Sequence, residues 1–305
     1  MLTSKEWHQY YQHNANCVLD IPWQLGAELT ADEIADISAS LREFQAGESS
    51  EGKHLYRNAQ LYADRTGDRD YVSAIGLFIA EEQRHARDLG RFLKLNGIPL
   101  VQTTFTDRVF RRMRGITRSL EISIAVLITA EIIAKPHYAA IRNATNSTIL
   151  RRICDQLLRD EVRHVEFQAE RLAILRAGRG RFRKTITAAL QRFLFLGTVL
   201  IVWLLHRRAL RRGEVSFLSW WQDNWREFNS AFAAKVSEPG LCASNPREPH
   251  RPQASSPPIS IAHRLKSSCA ARGRNSTRRI EDSATPRIGW SRGLFHLAVG
   301  ELHIE

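Results

Sequence analysis

Between residues 30 and 235 the apolar positions recur at helical intervals rather than alternating as in strands. Thr30 followed by Glu33 is a capping box, which marks a helix start. From there Leu41, Phe44, Glu48, Glu51, Leu55, Asn58 and Tyr62 recur at steps of three and four, forming one stripe that carries acids where a plain core would carry Leu. "RTGD" (65–68) breaks the chain. A second stripe runs Tyr71, Ile75, Phe78, Glu82, His85, Leu89, Phe92, and Gly97 with Pro99 ends it. A connection with weaker pattern extends to about Thr117. A third helix follows through "SLEISIAVLITAEIIAKPHYAAIRNA" to a break at "TNST", and a fourth places Leu150, Cys154, Leu157, Glu161, His164, Gln168 and Leu172 on one face.

Two helical hairpins joined by one long connection predict an all-α four-helix bundle over 31–176. The pattern leaves 1–30 as an N-terminal segment and places additional helices, about 184–212 and 214–235, in a packed region 177–236. "FLFLGTVLIVWLL" (193–205) is apolar for thirteen residues, short of the roughly twenty a membrane span needs. A buried helix is the expectation. Arg192 and His206-Arg207-Arg208 at its flanks keep peripheral membrane contact as the second reading. From Ser237 onward Pro, Ser and Arg dominate, with seven of the ten prolines, and 237–305 reads as a disordered tail without assigned function.

Composition narrows the chemistry. Four scattered cysteines with no Cys-x-x-Cys pair argue against a disulfide framework, a zinc ribbon or a built-in iron–sulfur centre. No apolar signal core stands at the N-terminus, so a cytoplasmic location is expected. The net charge of +12 is concentrated in "RVFRRMRGITR", "RAGRGRFRK", "HRRALRR" and residues 241–305. Such a rim is either a solvated surface or a docking face for an acidic carrier protein or anionic lipid. No RNA-binding motif accompanies the arginines, which disfavours nucleic acid.

The acids inside the apolar stripes are the main signal. "AEEQRH" (80–85) and "RDEVRH" (159–164) each contain acid-Glu-x-Arg-His, so Glu82 with His85 and Glu161 with His164 project from one helix face. One Glu-x-x-His is weak evidence, since surface helices contain it by accident. The helices before each change its weight: Glu51 lies 31 residues before Glu82, and Glu131 lies 30 before Glu161. In an antiparallel hairpin, residues equidistant from the turn stand level. The midpoint of 51 and 82 falls in "RTGD" and that of 131 and 161 at Asn146, inside "NATNST". Glu51, Glu82, His85, Glu131, Glu161 and His164 are therefore expected at one level of the bundle. Four unpaired buried carboxylates would each cost several kcal/mol, and two divalent cations would balance them. Mixed carboxylate and imidazole ligation suits two iron ions or a Mn/Fe pair.

Ligating histidines usually donate their other ring N–H to a carboxylate, so Asp160 is expected behind His85 and Glu81 behind His164. The alternative pairs these acids with Arg84 and Arg163. Glu48 shares the Glu51 stripe and is placed around the site rather than on a metal, because pairing it with Glu82 moves the turn off centre. His54, in Glu51-Gly-Lys-His54, is a further neighbour. Pro136 inside the third helix is expected to disturb it.

The paired Glu…Glu-x-x-His halves, about residues 40–175, resemble the ferritin-like superfamily of ferritins, rubrerythrins and di-iron oxygenases. "AEEQRH" with "DEVRH" is especially similar to the motifs of soluble acyl-carrier-protein desaturases. The resemblance implies a ferritin-like bundle and a di-iron centre that reacts with oxygen or peroxide. The chain is shorter than a full desaturase and lacks the rubredoxin-like cysteine module of rubrerythrins, so repeated turnover implies a separate electron donor. The leading expectation is an O₂-activating hydroxylase or desaturase of a hydrophobic or acyl substrate, with Phe78, Ile79, Leu127 and Ile128 either lining a pocket or forming solid core. The alternatives are a rubrerythrin- or ferritin-type ferroxidase or peroxidase, and a non-catalytic helical protein, at a membrane surface or elsewhere, with a structural metal. A homodimer is compatible with any of them.

Overall fold

The computed structural model describes residues 1–49, 52–101 and 119–233; all lie in one compact unit, Met1–Arg247. The described residues contain helices and no strand. In chain order these are α1 (Ser4–Asn14), a 3₁₀ turn at Trp23–Leu25, α2 (Ala31–Glu48), α3 (Lys53–Thr66), α4 (Arg69–Leu95), α5 (Leu120–Asn143), α6 (Thr148–Arg176), α7 (Arg181–Arg212) and α8 (Phe217–Phe232).

Local chemistry sets the boundaries. Thr30 and Glu33 form the reciprocal cap that starts α2. Gly67, at φ 81°, ends α3 in the left-handed conformation, and the Asp68 side chain caps α4 by accepting from Tyr71 N–H. The α5–α6 turn is fixed from outside: Glu33 Oε1 accepts from Thr145 Oγ1 and Asn146 N–H, while Glu28 accepts from Ile149 N–H at the positive end of α6. Helix α5 runs through Pro136.

The bundle is a closed ring. Helices α2 and α3 pack in succession along α4, α4 packs on α6, α6 on α5, and α5 on α3. Most of the connection between α4 and α5, and the whole segment 237–305, lie outside the described residues. Helix α7 covers α5 and α2, and α8 packs across α5, α6 and α7.

Two features differ from the expectation. The first bundle helix is interrupted after Glu48, and Gly52 restarts the chain as α3 from φ 62°. A Cβ at Gly52 would meet the Ile79 side chain of α4 at 2.6 Å, and the left-handed φ of 62° itself favours glycine. The N-terminal segment, to which the pattern assigns no place, joins the bundle. Helix α1 lies on α4, with Trp7 and Tyr11 buried and Trp7 Nε1 donating to Glu170.

Two apolar clusters fill the bundle. One contains Tyr11, Phe78, Ile128 and Phe167, the other Leu41, Leu89, Tyr138 and Leu157. On α4 and α6 the residues between them are Glu82, His85, Glu161 and His164: a polar layer between two dry ones. Helices α5 and α7 are each long and apolar enough to cross a membrane, but 67% of the apolar window of α5 is buried in the protein against 28% for α7.

Candidate metal centre

Each ligand-bearing side chain is placed by helical periodicity. Glu82 and His85 are one turn apart on α4, Glu161 and His164 one turn apart on α6, Glu131 lies at mid-length on α5, and Glu48 closes α2. Potential ligand atoms from Glu48, Glu82, His85 and Glu161 all lie within 4.8 Å of one another, as do those from Glu82, Glu131, Glu161 and His164. Glu82 and Glu161 belong to both groups. The structure thus makes two overlapping four-residue sites with two shared carboxylates.

Five of the six expected ligands are in this cluster, and Glu48 stands with them. Glu51 lies outside the described residues. His54 is exposed on α3 and belongs to neither group. The stripe from Leu41 to Tyr62 is broken between α2 and α3, and among the described residues Glu48, at the end of α2, is the carboxylate from this half that stands in the cluster.

The histidines are oriented from behind. His85 Nε2 lies 2.9 Å from Asp160 Oδ2, and His164 Nε2 lies 3.0 Å from Glu81 Oε2. Each Nε2–H donates to its carboxylate, which turns each Nδ1 toward the cluster. His164 Nδ1 is 3.0 Å from Glu82 Oε1 and 3.6 Å from Glu161 Oε2; His85 Nδ1 is 3.7 Å from Glu82 Oε1. None of these atoms has a hydrogen-bond partner. Both Nδ1 atoms, both Glu161 oxygens and Glu82 Oε1 are buried and unsatisfied. Buried polar atoms are normally paired, and these five unsatisfied atoms lie in a cluster that could hold a metal ion.

No family model, no curated protein and no solved structure matches this chain.

A second layer of side chains holds the ligands. Arg84 Nη2 sits 2.5 Å from Asp160 Oδ2, so Asp160 serves both His85 and Arg84; Arg163 pairs instead with Glu166. Asn14 Nδ2 donates to Glu81 at 2.7 Å and to Asp160 at 3.1 Å, one amide tying together the carboxylates behind both histidines. Gln156 donates to Asp160, Gln168 to Glu131, and Tyr138 Oη to Glu48 at 2.5 Å. The sequence reading had not assigned Asn14 or Tyr138 to the site. A signal existed for each: Thr3-Ser-Lys-Glu6 is a capping box announcing α1, and Tyr138 lies two helical turns beyond Glu131.

The electrostatics agree with the geometry. Burial pushes the carboxyls of Glu82 and Glu161 well above the ordinary range, and the nearby Glu131 charge pushes them further. Burial likewise raises Glu48, although His85 opposes it. Burial disfavours charge on His164, but its contacts with Glu161, Glu81 and Glu82 outweigh that and raise it well above the usual histidine value. Asp160 goes the other way: against the effect of burial, the His85 hydrogen bond and the charges of His85 and Arg84 hold it ionised far below the usual carboxylate range. Burial and mutual contact thus favour the protonated forms of Glu48, Glu82, Glu161 and His164, while Asp160 favours its ionised form.

The surrounding wall is dry. The Phe78 ring meets His164 edge-on at 4.7 Å between centroids, and Phe78, Leu127 and Ile128 belong to one buried apolar cluster with Ile79 packed against it. These four residues form packed core.

Proposed function

We propose that the six-residue cluster binds two iron ions, or a Mn/Fe pair, and that the protein is an O₂-activating oxidoreductase of the ferritin-like type acting on a hydrophobic organic substrate as a hydroxylase or desaturase. The observation that carries this reading is the overlap of the two four-residue groups at Glu82 and Glu161, with five converging donor atoms left unsatisfied. Glu48 and His85 complete one site, Glu131 and His164 the other. A plain structural site needs one ion and a closed ligand shell; two sites sharing carboxylates suit paired redox ions.

When bound, the metal pair supplies the redox chemistry with oxygen. The protein's own groups do the rest. Asp160 and Glu81 keep the Nε2 protons of His85 and His164 in place and aim both Nδ1 lone pairs inward. Tyr138 keeps its proton on Oη, because burial, the Glu48 charge and the hydrogen bond to Glu48 raise its pKa well above the ordinary phenol value. Its donation fixes the Glu48 carboxylate. Phe78 and Tyr11 exclude water from the His164 side. A separate electron donor serves repeated turnover.

The test is metal content and O₂ reactivity of anaerobically purified protein, followed by absorbance. About two iron or manganese ions per chain, oxidised by O₂, lost in Glu82→Ala and reduced to about one in His164→Ala, is the expected result and justifies an organic substrate screen. Iron mineralisation, or peroxide reduction without an organic product, would move the reading to a ferroxidase or peroxidase. Metal-free protein that also fails to reconstitute would remove the reading altogether.

A further inference from the structure

Helix α7 spans 32 residues, about 48 Å at 1.5 Å per residue, and contains no acidic side chain. It is apolar on both sides. One side buries Phe195, Val199 and Trp203 against the bundle. The other is open to solvent: Phe182 is 78% exposed, Phe193 79% and Leu190 61%, and Ile186, Leu200 and Leu204 are exposed with them. Those six residues recur at steps of four, four, three, seven and four. At 100° per residue they fall within an arc of about 80°, a single stripe about 33 Å long. A helix that is apolar all round belongs in a protein core or against lipid, and an exposed stripe of this length marks a contact surface.

Charge identifies the partner. The exposed Arg181, Arg183 and Lys184 stand at one end of the stripe, and the exposed Arg207 and Arg211 at the other. Around the helix, Arg183, Arg207 and Arg211 lie within about 60° of the stripe's centre, whereas Arg181, Lys184 and the intervening Arg192 lie about 120° to 160° from it. We infer that α7 docks this protein on an anionic lipid surface, with the Phe182–Leu204 stripe seated at the boundary of headgroups and acyl chains and the basic ends on lipid anions.

Two other occupants fit less well. A second copy would lay α7 on α7, and because both ends are cationic, parallel and antiparallel pairings alike would set cation against cation. A membrane crossing would bury the opposite side too. There Gln191 donates to Ala125 O and Thr129 Oγ1 and His206 Nδ1 hydrogen-bonds Ser40 Oγ, while near the helix end Arg208 and Arg212 pair with Asp36. Crossing would carry those charged pairs and their helices into hydrocarbon. The inference rests on α7 alone and is independent of the metal centre.

Flotation of the full chain with phosphatidylcholine vesicles, with and without phosphatidylglycerol, tests it. Binding is expected on anionic vesicles, at least about tenfold tighter than on neutral ones and weakened by salt. Phe193→Ser combined with Leu190→Ser should lower it about tenfold or more, and Arg183→Glu with Lys184→Glu by a similar factor. All four positions are solvent-facing, so circular dichroism of the variants should match the parent. Failure of the parent to float, or variants that float as well as the parent, would overturn the inference. So would a dimer, seen by light scattering, that the serine variants abolish while vesicles recruit nothing. Retention of the cellular membrane-bound protein after alkaline carbonate washing would replace surface docking by a span.

Discussion

The two hairpins that build the cluster carry the same sequence motif but solve the geometry differently. In the α5–α6 hairpin both helices are continuous past the cluster, and Glu131 stands 30 residues before Glu161, level across a turn at 144–147. In the α2–α3–α4 half the helix breaks, and the carboxylate that reaches the cluster is Glu48, 34 residues before Glu82. The chain restarts as α3 at Gly52, where a Cβ would meet the Ile79 side chain at 2.6 Å. A repeated motif therefore fixes the chemistry of a site, while helix boundaries decide how far along the chain its carboxylates stand.

The largest effect is expected from the residues the two halves share. Glu161→Ala removes a ligand from both sites and should take metal content from about two ions per chain to near zero, measured by elemental analysis. Next comes the comparison itself. Glu48→Ala should cost the ion beside His85 while leaving that beside His164, and Glu51→Ala should retain both. Equal losses in the two variants would mean that the halves are more alike than the break at Gly52 suggests.

Behind the ligands the effects should be smaller. Asp160→Asn removes the anion that orients His85, and about a 10- to 100-fold loss of metal affinity is expected, read by competition with a chelator. Gly52→Ala forces a positive φ and a clash with Ile79, and should destabilise the fold by about 1–3 kcal/mol, measured by denaturant unfolding.

The smallest expected effect is that of pH on the metal-free protein. Glu48, Glu82 and Glu161 have raised values, so the folded state binds more protons than the unfolded state once pH exceeds the ordinary carboxyl range. Stability should fall as pH rises from there. His164, also raised, adds stability that is full below the ordinary histidine value and is lost as pH climbs through its folded value. Metal-free protein should thus lose melting temperature from mildly acidic to mildly alkaline pH. Because bound cations replace those protons, the stabilisation on adding metal should grow over the same range. A metal shift independent of pH would contradict the assignment of these carboxyls as ligands.

Much of this was legible in the sequence because helical periodicity is a local property. The spacing of Glu82, His85, Glu161 and His164, the turn at Gly67 and the cap at Thr30 all follow from residues within a few positions of one another. The place of Glu48 in the cluster was not legible, because it depends on where α2 ends and α3 begins. The role of Asn14 was hidden because it meets Glu81 and Asp160 across 67 and 146 residues of chain. The expectation that additional helices would cover the bundle agrees with α7 and α8, but the exposure of the second apolar face of α7 could not be read from composition.

The most direct test of the central claim is an anomalous-diffraction map of crystals grown anaerobically with ferrous iron. Two iron peaks flanked by Glu82 and Glu161, one against Glu48 and His85 and the other against Glu131 and His164, are the predicted result. A single peak, or none among these six residues, would contradict the two-metal centre and leave the cluster as a protonated polar network.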